Sequence, residues 1–483
     1  MATGVIAGAL AEQIHPLRVR SAGIPKEAKM FCDKFRAPVT LCLLMVCSVT
    51  FLSPGGALAQ DTWDGGGADD NWTTNNNWVD NTAPTPATTG ALIFDGAVRL
   101  TPNADVAHLG VTSIDFAAGA SAFTIGGSDL TFTGAATVTN LSANLQTINN
   151  NLVSGGASLL FDAQTANLAV AGTIDISAPS ALQVTGAFDT TLSGVISGPA
   201  GTLTKNGAGV LTLSGVNTFG GGTTLNAGTI ALGDDAALGT GTFTINAGAV
   251  QATAPRTITN AVAVNGNFTV SGSQTLDFAG TMDLGAATRT ITTTNTALTT
   301  ISGVISNGGL TKAGAQALEL SGVNTFTGPL TINDGTLQLT GGAALADTVA
   351  VSLADVAGAT LLLNTSETVG SLAGGGGTGG NVTLNANTLT AGGNNTSTTY
   401  AGVISGTGGL TKEGTGTLTL TGANTFTGTT NFNAGTLALT GGAALADASA
   451  VVGSGSGVLL LNNSETIGSL AGASSVNLQA NTL

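Results

Sequence analysis

The sequence predicts an all-β fold: a right-handed single-stranded parallel β-helix (β-solenoid) that follows an N-terminal signal peptide. Three observations predict it. Hydrophobic residues fill 42% of the 483 positions while only 8% are charged. Disordered chains show the reverse balance, so this chain has a core to bury. Apolar and polar residues alternate over short runs, and 72 glycines punctuate those runs. The runs recur in long copies.

The alternation comes first. Leu211-Thr212-Leu213, Leu318-Glu319-Leu320 and Leu418-Thr419-Leu420 place apolar residues at i and i+2, as do Ile230-Ala231-Leu232, Leu337-Gln338-Leu339 and Leu437-Ala438-Leu439. A period of two means strands with one buried face, and it sends Glu319 and Gln338 outward. Asn226-Ala227-Gly228 and Asn433-Ala434-Gly435 are turn signals, because Gly and Asn tolerate positive φ. Gly, Asn and Thr also form helices poorly.

The copies come second. Gly194-Val195-Ile196-Ser197 returns at Gly303 and Gly402, followed each time by Leu-Thr-Lys and then Asn-Thr-Phe. The lysines Lys205, Lys312 and Lys412 occupy equivalent positions, as do Phe219, Phe326 and Phe426. A second motif, Ser366 to Gly374, returns at Ser464 to Gly472. Short strands in such repetition favour a solenoid over a sandwich or barrel, since each coil need only match its neighbours. Coils of about 20–25 residues would stack like positions about 4.8 Å apart, with Asn and Thr columns forming side-chain ladders. The lysines are expected to be exposed and to discourage edge pairing, and the phenylalanines to plug the core at a turn.

The N-terminus reads as an export address. Lys34 and Arg36 form a basic region, Ala37–Leu52 an apolar one, and Ala57-Leu58-Ala59 a small–x–small cleavage pattern before Gln60. The apolar run is short for a transmembrane helix. Residues 1–59 are therefore read as a signal peptide carrying an extra N-terminal extension, with Met30 the expected start. All three cysteines (Cys32, Cys42, Cys47) fall inside it, which leaves no disulfide framework after cleavage. Residues 60–120 are expected to form a cap and the first coils, and residues 121–483 a repetitive β-helix that stops in mid-repeat. Trp63, Trp72 and Trp78 could stack on sugars or cover the first coil, and the cap is expected.

The pattern G-V-I-S … L-T-K-x-G … L-x-L-x-G-x-N-T-F … N-x-G-T-L-x-L resembles the autotransporter passenger-associated β-strand repeat, with its clearest copies beginning at Gly194, Gly303 and Gly402. Trp63-Asp64-Gly65-Gly66-Gly67, with Asn71-Trp72, Asn77-Trp78 and Phe94-Asp95-Gly96, resembles the start of mature proteins of this kind. The resemblance implies export by the Sec machinery and display on a Gram-negative surface through a C-terminal barrel. This chain shows no barrel-type strands before Leu483. The expectation is thus a truncated passenger, at the cell surface or outside the cell, or periplasmic without its translocator.

Composition and chemistry narrow the function. From Gln60 onward six basic and 24 acidic residues leave a net charge of −18. A nucleic-acid binder needs a basic footprint, so nucleic acid is not expected as a partner. Only His108 survives cleavage, and no G-x-S-x-G supplies a nucleophile elbow. Asp234-Asp235 and Asp69-Asp70 (with Asp64) are the close acid groups, read as turn residues rather than cation ligands. No catalytic residue, metal site or cofactor is expected. The function expected is a structural spacer or adhesin-like passenger that touches host or matrix glycans or proteins. The alternatives are a carbohydrate-active β-helix enzyme, which needs converging carboxylates, and an inactive fragment of a larger autotransporter.

Overall fold

The computed structural model describes residues 60–483 apart from 87–89, 157, 178 and 179. The signal-peptide positions Ala57 and Ala59 therefore lie outside the described residues. Gln60 is exposed and opens the first strand, Gln60–Trp63. From there the chain is all-β, with parallel strands winding into a solenoid of about 18 turns. One 3-10 turn, Asn75–Asn77, is the helical element among the described residues. None of their helices is long and apolar enough to cross a membrane.

The coil length follows from register. Leu182 lies beside Leu203, Leu203 beside Thr223, and Thr223 beside Phe243, so these coils advance by 21, 20 and 20 residues. The column continues through Val262 and Met282 to Ile305, and every member is buried. A second interior column stacks Leu318, Leu337, Leu361, Val382 and Ile404. Each fully buried aliphatic or aromatic side chain contributes about 1.5–3 kcal/mol. The intervening residues face outward, as in the row Gln183, Thr204, Thr224 and Thr244. Strand alternation therefore divides core from surface without any help from helices.

Corners carry polar ladders of their own. Asn226 Nδ2 donates to Asn206 Oδ1 (2.7 Å), Asn246 to Asn226 (2.7 Å) and Asn265 to Asn246 (3.0 Å). Identical side chains one strand spacing apart can pair in this way because each amide both donates and accepts.

The first coils are filled by rings. Trp63, Trp72, Trp78, Phe94, Phe116 and Phe123 are buried and touch in series, Trp63–Trp78 at 5.3 Å and Phe94–Phe116 at 5.6 Å between centroids. Trp78 Nε1 donates to the Trp72 carbonyl (2.8 Å). Wholly buried indoles offer no face to a sugar, and here they pack the first coils instead. Since all three tryptophans lie within residues 63–78, intrinsic fluorescence should report melting of these coils alone. In a urea titration its midpoint should part from that of far-UV circular dichroism, and Trp72→Ala should lower the fluorescence midpoint by about 3–5 kcal/mol of local stability. Coincident midpoints in the wild-type chain would show one cooperative unit instead.

Candidate functional site

The repeated motif builds one recurring structure, a polar corner that ties successive coils. In the second copy, strand Gly309–Ala313 carries Lys312 inward on the face that also carries Leu310. Lys312 stacks between Ile291 and Ile332, Lys205 between Val184 and Leu225, and Lys412 between Ala391 and Phe432. The lysines are thus at most 1% exposed, not the surface charges that the residue type led us to expect. The physical reason is that each ammonium finds carbonyls at the turn. Lys312 Nζ donates to Ala313 (3.0 Å), Gly314 (2.6 Å) and, one coil on, Asp334 (2.9 Å). Lys412 Nζ does the same to Glu413 (2.6 Å), Gly414 (2.8 Å) and Ala434 (3.2 Å), and Lys205 Nζ donates to Gly207. Burial pushes Lys205 and Lys312 down to about 8, partly offset by Asp189 and Asp334, and it also lowers Lys412. Gly228, Gly335 and Gly435 turn above these ammonium groups with φ of 71°, 66° and 63°. A Cβ there would overlap the carbonyls of Gly207, Gly314 and Gly414, so only glycine lets the coils close.

Asparagine performs the second tie. Asn324 Oδ1 accepts from the Ile305 amide of the coil before (2.6 Å), and its Nδ2 donates to the Ala344 carbonyl of the coil after (2.8 Å). Asn217 joins Ile196 to Ala237 (2.7 and 2.6 Å), and Asn424 joins Ile404 to Ala444 (both 2.7 Å). The chain turns out of its strand here, so the ladder cannot satisfy these groups and a side chain must. Phe219, Phe326 and Phe426 follow two residues later and are fully buried.

Glutamate makes a third tie that sequence reasoning missed. Glu367 is 3% exposed and accepts from the amides of Ala344 (3.1 Å) and Leu345 (3.2 Å). Glu465 accepts from Ala444 (3.2 Å) and Leu445 (2.9 Å). Burial raises the Glu367 carboxyl above its usual range, against the lowering effect of those amides. Four coils are therefore joined in sequence, from Ile305 through Asn324 and Ala344 to Glu367.

The other singled-out residues lie apart. Exposed His108 occupies a left-handed position (φ 55°). Asp70 pairs with Arg99 (3.1 Å), Asp69 accepts from Thr74 (2.6 Å), and Asp64 accepts from the Gly66 amide (3.0 Å). Among the described residues no three His, Cys, Asp or Glu gather into a group that could hold a metal. Asp234 and Asp235 stand in a corner beside two surface depressions lined by Asp235, Thr257, Asn260, Arg256, Asp277 and Thr300.

Comparison with known proteins agrees with this geometry. Residues 203–232, 310–339 and 410–439 match the family model described as Passenger-associated-transport-repeat. Each match spans strand, turn, strand, corner, strand, turn and strand, and so contains the lysine, asparagine and phenylalanine above. The chain is also 32% identical over 324 residues to the adhesin BmaC autotransporter of Brucella suis biovar 1 (strain 1330). That alignment covers 63% of this chain and 9% of the adhesin, so the chain spans about a tenth of that relative's length. No solved structure matches the chain.

Proposed function

We propose that this chain is the passenger of an exported bacterial surface protein, acting as a stiff, adhesive, non-catalytic scaffold. The similarity to an adhesin autotransporter carries the reading. The exterior supports it: threonine and asparagine rows offer many weak hydrogen bonds repeated along the stack, a pattern suited to multivalent attachment. Export through the Sec machinery, after cleavage before Gln60, and attachment to surface glycans or proteins of a host or matrix belong to the same proposal.

Two measurements test it. Antibody against the solenoid should label intact cells of the source organism; labelling only after lysis overturns surface display. Beads coated with the full chain should be retained on epithelial cells and matrix-coated wells above beads coated with heat-unfolded chain. Equal retention overturns the adhesive reading.

A further inference from the structure

The corner of the first repeat differs from the other two in a way that the scaffold does not require. Copies two and three read Gly341-Gly342-Ala343-Ala344-Leu345 and Gly441-Gly442-Ala443-Ala444-Leu445, whereas copy one reads Asp234-Asp235-Ala236-Ala237-Leu238. In copies two and three a glutamate of the next coil, Glu367 or Glu465, buries its carboxylate under the corner amides. Copy one has no such glutamate. Arg256 Nη2 donates to the Gly233 carbonyl, and Asn260 Nδ2 donates to Gly239 (2.9 Å) and Gly241 (2.8 Å). The carboxylate stands outside instead: Asp235 has a side chain 61% exposed, accepts from the Thr257 amide (3.1 Å) and pairs with Arg256 Nη1 (3.8 Å).

Both surface depressions open at this altered corner, and they share Asp235 and Thr257. One of them is lined by a register row. Thr257 lies beside Asp277, and Asp277 beside Thr300, each one strand spacing of about 4.8 Å from the next. Ser302 holds Asp277 with its amide (3.2 Å) and hydroxyl (2.8 Å), which fixes the carboxylate and leaves lone pairs free. Arg256 Nε–H is buried among these residues without an acceptor in the protein.

We infer that the groove formed by Asp235, Arg256, Thr257, Asp277 and Thr300 is a binding site for a neutral oligosaccharide lying along the solenoid axis. The inference deepens the adhesive reading above and rests on it. Carboxylates only accept and sugar hydroxyls donate to them; the Thr257 hydroxyl serves either role, and that of Thr300, which donates to Glu319 (3.4 Å), accepts. Two aspartates and one arginine line the groove, and that arginine already serves a backbone carbonyl and Asp235, so an acidic glycan is repelled. The lining carries no aromatic ring, so single-site affinity is weak and millimolar, and attachment relies on many copies at once.

The test is calorimetric titration of the full chain with neutral tetrasaccharides of glucose, galactose and mannose, and with a heparin tetrasaccharide as the acidic probe. At least one neutral probe should bind with a millimolar Kd, and heparin should not. Asp235→Gly, the residue that the other two corners carry, and Asp277→Asn should each weaken binding about tenfold, the loss of one hydrogen bond to a charged group, with circular dichroism unchanged. Absence of neutral binding, undiminished binding by both variants, a preference for heparin or cleavage of the sugar each overturns the inference. Bead retention separates the two readings. Beads that adhere while no tetrasaccharide binds sink the groove and leave the adhesin; sugar binding without bead retention does the opposite.

Discussion

Asn324→Ala is expected to cost about 4 kcal/mol of local stability, and the loss should be felt one coil away on either side. The substitution strips partners from two buried backbone groups, the Ile305 amide and the Ala344 carbonyl. Each orphaned group costs about 1–3 kcal/mol, because neither water nor a strand neighbour can replace the asparagine. Asn324→Asp should be worse than an isosteric change ordinarily is. It keeps the acceptor for Ile305 but turns a carboxylate oxygen toward the Ala344 carbonyl in a site that is 3% exposed. Amide hydrogen exchange is the direct readout: Ile305 should lose protection in Asn324→Ala, while Ile404, served by Asn424, keeps it. Unchanged exchange at Ile305 would show that the corner closes without the side chain.

The buried lysines make stability depend on pH in an unusual direction. Lys205 and Lys312 fall from 10.5 to about 8 because burial disfavours the ammonium. Below pH 8 these groups are charged in both states, and the folded state carries the desolvation cost. Between pH 8 and 10.5 the folded chain releases its protons while the unfolded chain still holds them, so the unfolded state binds more protons and stability rises with pH. The gain is on the order of 3 kcal/mol per lysine at most. Tyr400 opposes it above pH 10, because burial raises its phenol and only the unfolded chain ionises readily. The melting temperature should therefore climb from pH 7.5 to about pH 10 and then level or fall. Lys312→Met, which fits the Ile291–Ile332 column, should remove one lysine's share of that slope. A wild-type melting temperature that falls steadily across this window would contradict the assignment.

The same alternation that revealed the strands also held the positions of these polar residues. Leu203-Thr204-Lys205 places the lysine on the face of Leu203, and Glu367-Thr368-Val369 places the glutamate on the face of Val369. Period two pointed both inward. The usual exposure of charged residues argued outward for the lysines, and it lost because turn carbonyls and amides waited inside to receive the charge. The coil length was expected from repeat units in general, and register sets it at 20 or 21 residues for the coils from Leu182 to Phe243. The groove at Asp235 could not be read in the same way. Its signal lies in a difference between copies, Asp-Asp against Gly-Gly, and that difference acquires meaning only when register sets Asp235, Thr257 and Asp277 on successive coils.

The asparagine corner has an implication for how such a chain can lengthen. Its two hydrogen bonds reach one layer up and one layer down and no farther. A duplicated block that starts and stops at matching corners would meet its neighbours through the bonds already in use, with no interior to redesign and no distant surface to satisfy. Growth by copying whole blocks is then structurally almost neutral. Each added block would be free to vary its outer residues, so length and surface chemistry could diversify independently of the force that holds the stack together.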